Sequence, residues 1–163
     1  MDANMTLEEV RTFFKNDKFA SEACKCRIAE AGPGHAICEF DIQDGHKNGF
    51  GNVMGGAIFT LADYALAIAC NIGEEPTVSV SNTIEFMRTA KGSKLIATAD
   101  VDRSGRTLGF YTVEVRDDLG TNVAKMTATC SRKPSSGANQ VPANRASNVT
   151  SKPNERITHA RER

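Results

Sequence analysis

The chain has 163 residues, 40% of them hydrophobic and 25% charged, with 20 basic and 20 acidic side chains. That size suits one domain, and the composition suits a soluble globular protein. The charge is uneven: from Ser131 onward seven Lys/Arg stand against two Glu, so residues 1–130 carry a net −5, which argues against a nucleic-acid-binding domain.

The N-terminus is polar and acidic. No stretch has the layout of a signal peptide or the length and apolarity of a membrane span, so a cytoplasmic protein is expected, with no membrane partner. Thr6-Leu7-Glu8-Glu9 has the form of a capping box, and Leu7, Val10, Phe13 and Phe14 follow at helical spacing. A short amphipathic helix is predicted over 7–15, within an N-terminal segment spanning 1–18. Residues 19–30 read as a strand, Ala31-Gly32-Pro33-Gly34 as a turn, and 35–42 as a second strand, the pair forming a hairpin.

Residues 43–54 form a Gly- and Asn-rich loop. Gly45, Gly49 and Gly51 point there to unusual backbone angles or to a ligand close to the chain. His46 reads as a solvated loop histidine. From Ala57 to Cys70 the only clearly polar residues are Thr60, Asp63 and Tyr64, which predicts a helix buried on most sides. Gly73 suits its C-terminal cap. Four strands are predicted next, over 77–88, 94–103, 107–116 and 122–131. Their alternation and tight Gly turns suggest a four-stranded antiparallel meander. The Ser-, Asn-, Pro- and Arg-rich residues 133–163 are expected to be a disordered basic tail.

The five cysteines are odd in number and scattered, which predicts buried free thiols rather than a disulfide framework. Cys24 and Cys26 share a predicted strand face but lack the second pair of a zinc site, so no metal is expected. The simplest packing of these elements is α+β: one long helix against the concave face of an antiparallel sheet of about six strands. Two open sheet edges are a liability that pairing with a second copy removes, so a dimer is expected.

Asp63 is the anomaly. It lies about two turns past Gly55, too deep to cap the helix. An ionised carboxylate in so apolar a helix is costly unless it is paired, so it is either satisfied by a structural network or used in chemistry.

From Asn48 to Asp63 the sequence runs N-G-F-G-N-V-M-G-G-A-I-F-T-L-A-D. This resembles the active-site segment of the hotdog-fold acyl-CoA thioesterases, in particular the phenylacetic-acid-degradation (PaaI-like) group. The stretch V-S-V-S-N-T-I-E-F-M-R-T-A-K-G from Val78, and the hairpin through Ser104-Gly105-Arg106, are similar to later strands of that family. The likeness covers about residues 19–132.

The resemblance implies a hotdog fold and hydrolysis of acyl-CoA to a free acid and CoA, with no cofactor beyond the CoA of the substrate. It also implies a homodimer or homotetramer whose active site is shared between subunits. By position, Asp63 matches the catalytic general base or nucleophile, and Gly55 matches the residue whose N–H polarises the thioester carbonyl. Asn48 matches the loop residue that places the thioester or water, and Ser79 a hydroxyl near the carboxylate. Gly56 and Met54 flank the polarising amide. Arg88 and Arg103, with Lys91 and Arg106, lie in predicted loops that could meet CoA phosphates.

Met54 stands where the family usually has His. Methionine makes no useful hydrogen bond, so a non-catalytic acyl-CoA sensor or scaffold of the same fold is the competing reading. The hotdog dehydratases use a His that this motif lacks. Tyr64 and Phe59 are expected in the core.

Overall fold

The computed structural model describes residues 1–133; the expected basic tail lies outside the described residues. The elements are α1 (Leu7–Phe14), a π-helical turn (Phe19–Ala23), β1 (Arg27–Gly32), β2 (His35–Asp41), a 3-10 turn (Asp44–His46), α2 (Gly55–Asn71), β3 (Thr77–Phe86), β4 (Lys94–Ser104), β5 (Leu108–Asp117) and β6 (Asn122–Arg132). The capping box closes α1: the Thr6 hydroxyl accepts the Glu9 N–H, and the Glu9 carboxylate accepts the Thr6 N–H. The β1–β2 hairpin forms as expected, with Gly34 at φ 73° after Pro33, a conformation that favours glycine.

Two expectations are corrected. Residues 19–30 are not one strand. Phe19–Ala23 winds as a π-helical turn, and only Arg27–Gly32 pairs with β2, so Cys24 and Cys26 precede the strand. Nor do the last four strands form a meander. All neighbours are antiparallel, but the order is β1-β2-β4-β5-β6-β3. Alternation identifies strands but not neighbours. α2 crosses the sheet and delivers the chain to the far side, where β3 pairs with β6 at the edge. β4 then returns to pair with β2.

α2 accounts for the core. Leu61, Ala62, Ala65, Ile68 and Ala69 are fully buried. They lie in one cluster with Ala36, Cys38 and Phe40 of β2, Leu95, Ala97 and Ala99 of β4, and Val113 and Val115 of β5. Alanines on both sides keep side-chain volume low at this contact. Each buried Leu or Ile contributes about 1.5–3 kcal/mol. Gly73 (φ 72°) follows the helix, and its N–H donates to Met1 O at 3.0 Å. All five cysteines are free and buried. No helix among the described residues is long and apolar enough to cross a membrane.

The β5–β6 turn holds the β3–β4 connection in place. Asp117 is 3% exposed. Its Oδ2 accepts the N–H groups of Lys91 (2.7 Å) and Gly92 (3.0 Å), and its Oδ1 those of Leu119 (3.1 Å) and Thr121 (2.8 Å). Burial alone would push its carboxyl up, but these N–H donors outweigh it and hold the group well below the usual carboxylate range. Asp117→Asn should therefore lower stability by about 2 kcal/mol at pH 7. A carboxyl depressed in the folded state stabilises above its unfolded value and loses that contribution as pH falls. The gap between wild type and variant in urea unfolding should accordingly shrink below pH about 4. A gap independent of pH would contradict this role.

Candidate active site

The loop before α2 is built by its own side chains. Asn48 Oδ1 accepts the N–H groups of Phe50 (3.0 Å) and Asn52 (3.2 Å). Its own N–H donates to Asn52 O at 2.8 Å. This is an Asx-type turn, and Gly51 at φ 78° completes it. The carbonyl side of Asn48 is thus committed to the loop, which leaves Nδ2 as the atom able to meet a ligand.

His46 is not the solvated residue expected; it is 4% exposed. Its Nδ1 accepts the Gln43 N–H at 3.2 Å, so Nε2 carries the proton and donates to Cys24 O at 3.0 Å. The ring lies against Phe40, with centroids 4.2 Å apart. The His46 carbonyl accepts the Met54 N–H at 2.8 Å. A histidine therefore does support the geometry of this loop, from position 46 rather than from position 54. Two residues before an Asx turn, it gave no periodic signal that would have marked it as buried.

Met54 is the N-cap of α2, extended at φ −70° and ψ 146°, with no side-chain capping bond. Its carbonyl accepts the N–H groups of Ala57 and Ile58. The Gly55 and Gly56 N–H groups are the first two of the helix, have no partner within it, and point along its positive end. Gly55 faces a cleft of 440 Å³ with Asn48, Ile58, Phe86, Arg88 and Thr89. A Cβ at Gly55 would sit 3.1 Å from the Phe86 ring, so the close approach of β3 there favours glycine. Arg88 and Thr89 belong to the connection that Asp117 holds.

Asp63 is elsewhere. It lies eight residues, about 12 Å, further along the helix axis. It lines a separate cavity of 430 Å³ with Asp17, Phe19, Phe59, Thr60 and Tyr64. Burial, and secondarily the negative charge of Asp17, raise its carboxyl above the usual range; a contact from Asn82 works the other way. That contact, Asn82 Nδ2 to Asp63 Oδ1, is long at 3.5 Å, and Asn82 Oδ1 is buried without a partner among the described residues. Phe59 is half-buried and lines the cavity, whereas Tyr64 is in the core with its hydroxyl donating to Phe14 O at 3.3 Å.

The structure thus brings Asn48, Gly55 and Arg88 together and separates them from Asp63. Gly56 and Met54 stay at the helix start. Ser79 pairs with Cys130 across a bulge at Val80. It lies two register positions, about 7 Å, beyond Asn82, and makes no hydrogen bond to Asp63 among the described residues. Arg103 is not in a loop. It pairs with Phe110 at the far end of β4, the end where Val101 N–H meets Gly34 O and the Gly34 N–H meets Ala69 O near the C-terminus of α2. Asn82 was missed, yet it stands two residues before Ile84, on the same strand face, and period-2 phasing would have turned it toward the helix.

The sequence pattern of the thioesterase superfamily matches residues 50–124. The chain is 33% identical over 111 residues to human acyl-coenzyme A thioesterase 13, covering 66% of this chain and 79% of that protein. It is 31% identical over 118 residues to acyl-coenzyme A thioesterase PaaI of Escherichia coli, covering 72% and 84%. The solved structure of that PaaI superposes with a TM-score of 0.69 at 26% identity, covering 78% of this chain and 96% of that one. With the single helix laid in a six-stranded antiparallel sheet and the glycine-opened helix start, these matches make the chain a member of the thioesterase superfamily, among its hotdog-fold, PaaI-like acyl-CoA thioesterases.

Proposed function

We propose that this protein hydrolyses an acyl-CoA thioester to the free acid and CoA in a site built from two protomers. One protomer gives Gly55 and Asn48, and the other gives Asp63. The observation that carries the reading is that Gly55 and Asp63 lie on one rigid helix yet open onto separate cavities. The edge strand β3 supports it. Val78, Val80, Phe86 and Met87 are exposed there (Val80 by 60%), an apolar unpaired edge that a second copy would cover. Antiparallel pairing of two β3 edges sets the two α2 helices antiparallel, which carries the start of one toward the middle of the other. A Streptococcus mutans protein of the same fold was solved bound to acetyl CoA; it is 26% identical with a TM-score of 0.61, and the match covers 66% of this chain and 91% of that one.

In this reading the thioester carbonyl oxygen accepts from the Gly55 N–H, aligned by the helix dipole. Asn48 Nδ2 helps to orient the thioester or the attacking water. Asp63 takes a proton from water as the water oxygen bonds to the acyl carbon, or attacks that carbon itself. In the first route the tetrahedral oxyanion collapses to the free acid, the C–S bond breaks, and the CoA thiolate takes up the proton that Asp63 accepted. In the second, loss of the thiolate leaves an acyl–Asp63 anhydride, which water hydrolyses to the free acid and the Asp63 carboxylate, releasing the proton that the thiolate takes up. Burial favours this role, because a desolvated carboxylate is a stronger base. Arg88, in the Gly55 cleft, is placed to meet a CoA phosphate.

Hydrolysis of a panel of phenylacetyl-, hydroxybenzoyl-, short- and long-chain CoA esters, followed by chromatography of released CoA, tests the activity. Asp63→Asn should lower kcat/KM at least about a hundredfold, a loss of roughly 2.7 kcal/mol in transition-state stabilisation. Binding of every ester without turnover would replace this reading with the acyl-CoA sensor.

Gly55→Pro tests the amide. Proline suits the first helical position, and the extended Met54 suits a following proline, so the helix is kept and only the N–H is lost. The rate should fall by about 10²–10³. Gly55→Ala, which keeps the N–H and displaces the exposed Phe86 ring slightly, should stay within a few-fold of wild type. Equal losses in the two variants would point to crowding by the added Cβ and against the oxyanion role.

A further inference from the structure

Asp63 shares its cavity with a second carboxylate. The junction between α1 and the π-helical turn brings Asp17 to the same 430 Å³ space, beside Lys18, Phe19 and Ala20. The backbone fixes it there: the Asp17 N–H donates to Phe14 O at 3.0 Å, and its carbonyl accepts the Ser21 N–H at 2.9 Å. The Asp17 side chain has no hydrogen bond or ion pair among the described residues. Lys18, the cation in the cavity wall, is paired with Glu22.

Among the described residues, the remaining surroundings of Asp63 hold no charge to offset Asp17. β3 offers the neutral amide of Asn82. Tyr64 of the same helix donates its hydroxyl to a backbone carbonyl. Cys70 of α2 and Cys130 of β6 are thiols, uncharged in the acid range where a carboxylate titrates. Among the described residues, the buried side chains of β1, β2, β4 and β5 are apolar apart from the thiol of Cys38, the phenol of Tyr111 and Asp117, which ends β5 on the β3–β4 connection. Arg132 ends β6 paired with Glu74, and the buried His46 has both ring nitrogens on backbone partners. Asp17 also lies outside the residues matched by the superfamily pattern.

We propose that Asp17 is a positioning residue for the reaction: its negative charge in the shared cavity strengthens Asp63 as a base without itself touching substrate. This rests on the reading of Asp63 as the catalytic carboxylate. Like charges in one partly desolvated space disfavour ionisation of each other, so proton affinity rises for the more buried of the two. Burial of Asp63 and the charge of Asp17 act in that same direction. The consequence is an acid limb of kcat/KM set higher than burial alone would set it.

The test is the pH profile of kcat/KM for wild type, Asp17→Glu, Asp17→Asn and Asp17→Lys, with acyl-CoA as substrate. The midpoint of the acid limb should be unchanged in Asp17→Glu. It should fall by about half a unit in Asp17→Asn and about one unit in Asp17→Lys. The plateau at pH 8 should drop by no more than a few-fold, as a weaker base accepts the proton less readily. One common midpoint for all four, or shifts that do not follow the order of charge, would overturn the proposal. A 13C NMR titration of the Asp63 carboxyl in wild type and Asp17→Lys gives the same answer without turnover. If no ester is hydrolysed but the Asp63 titration still moves with charge, the thioesterase reading fails and the coupling stands. If esters are hydrolysed and the titration does not move, the coupling fails alone.

Discussion

The burial of α2 is the constraint on which the rest of the structure depends. A helix apolar on nearly every side has to be enclosed, and a single curved sheet encloses it from β1 round to β3. The facing alanines of α2, β2 and β4 fill the contact with little side-chain volume. One carboxylate, Asp63, remains on this helix where the enclosure is incomplete. Its half-buried carboxylate is costly on a core element, and Asn82 offsets that cost only weakly at 3.5 Å.

The same burial fixes the geometry of the site. Gly55 and Asp63 sit at a separation that a rigid helix does not change, and each faces its own cavity. No loop movement within one protomer closes that gap. Around them the supports differ in kind. Loop 43–54 is held by a buried histidine and an Asx turn, whereas the opposite wall of the Gly55 cleft is held by a carboxylate that collects four backbone N–H groups. Both supports are backbone-directed, which leaves the Gly55 and Gly56 amides and the Asn48 Nδ2 without partners among the described residues.

Much of this was legible in the sequence because it is written in short-range patterns. The apolar run of α2, the capping box at Thr6 and the Gly34 turn depend on neighbours a few residues away. Asp63 stood out because a charge in that run violates the pattern. The order of the strands did not show, because alternation is the same for β3 whether it lies beside β4 or beside β6. The π-helical turn at Phe19–Ala23 was hidden by its length: five residues are too few to show a helical period, although its Ala and Glu favour helix. The surroundings of His46 and Asp17 did not show because each meets its neighbour far along the chain: His46 bonds Cys24 O, 22 residues away, and Asp17 shares a cavity with Asp63. Resemblance alone suggested the roles proposed for Asn48 and Gly55, which no periodicity encodes. It also pointed to Ser79, whereas the contact on Asp63 comes from Asn82.

The central claim is that one catalytic site needs two copies of the chain. Co-expression of Asp63→Asn with Gly55→Pro, each inactive alone, tests it most directly. In a mixed dimer one site would combine the intact Gly55 of one copy with the intact Asp63 of the other, while the second site would carry both defects. Statistical mixing in a two-fold dimer predicts recovery of about a quarter of wild-type activity. Mixed dimers, isolated by two affinity tags, that hydrolyse no acyl-CoA would contradict the claim and require a site complete within one protomer.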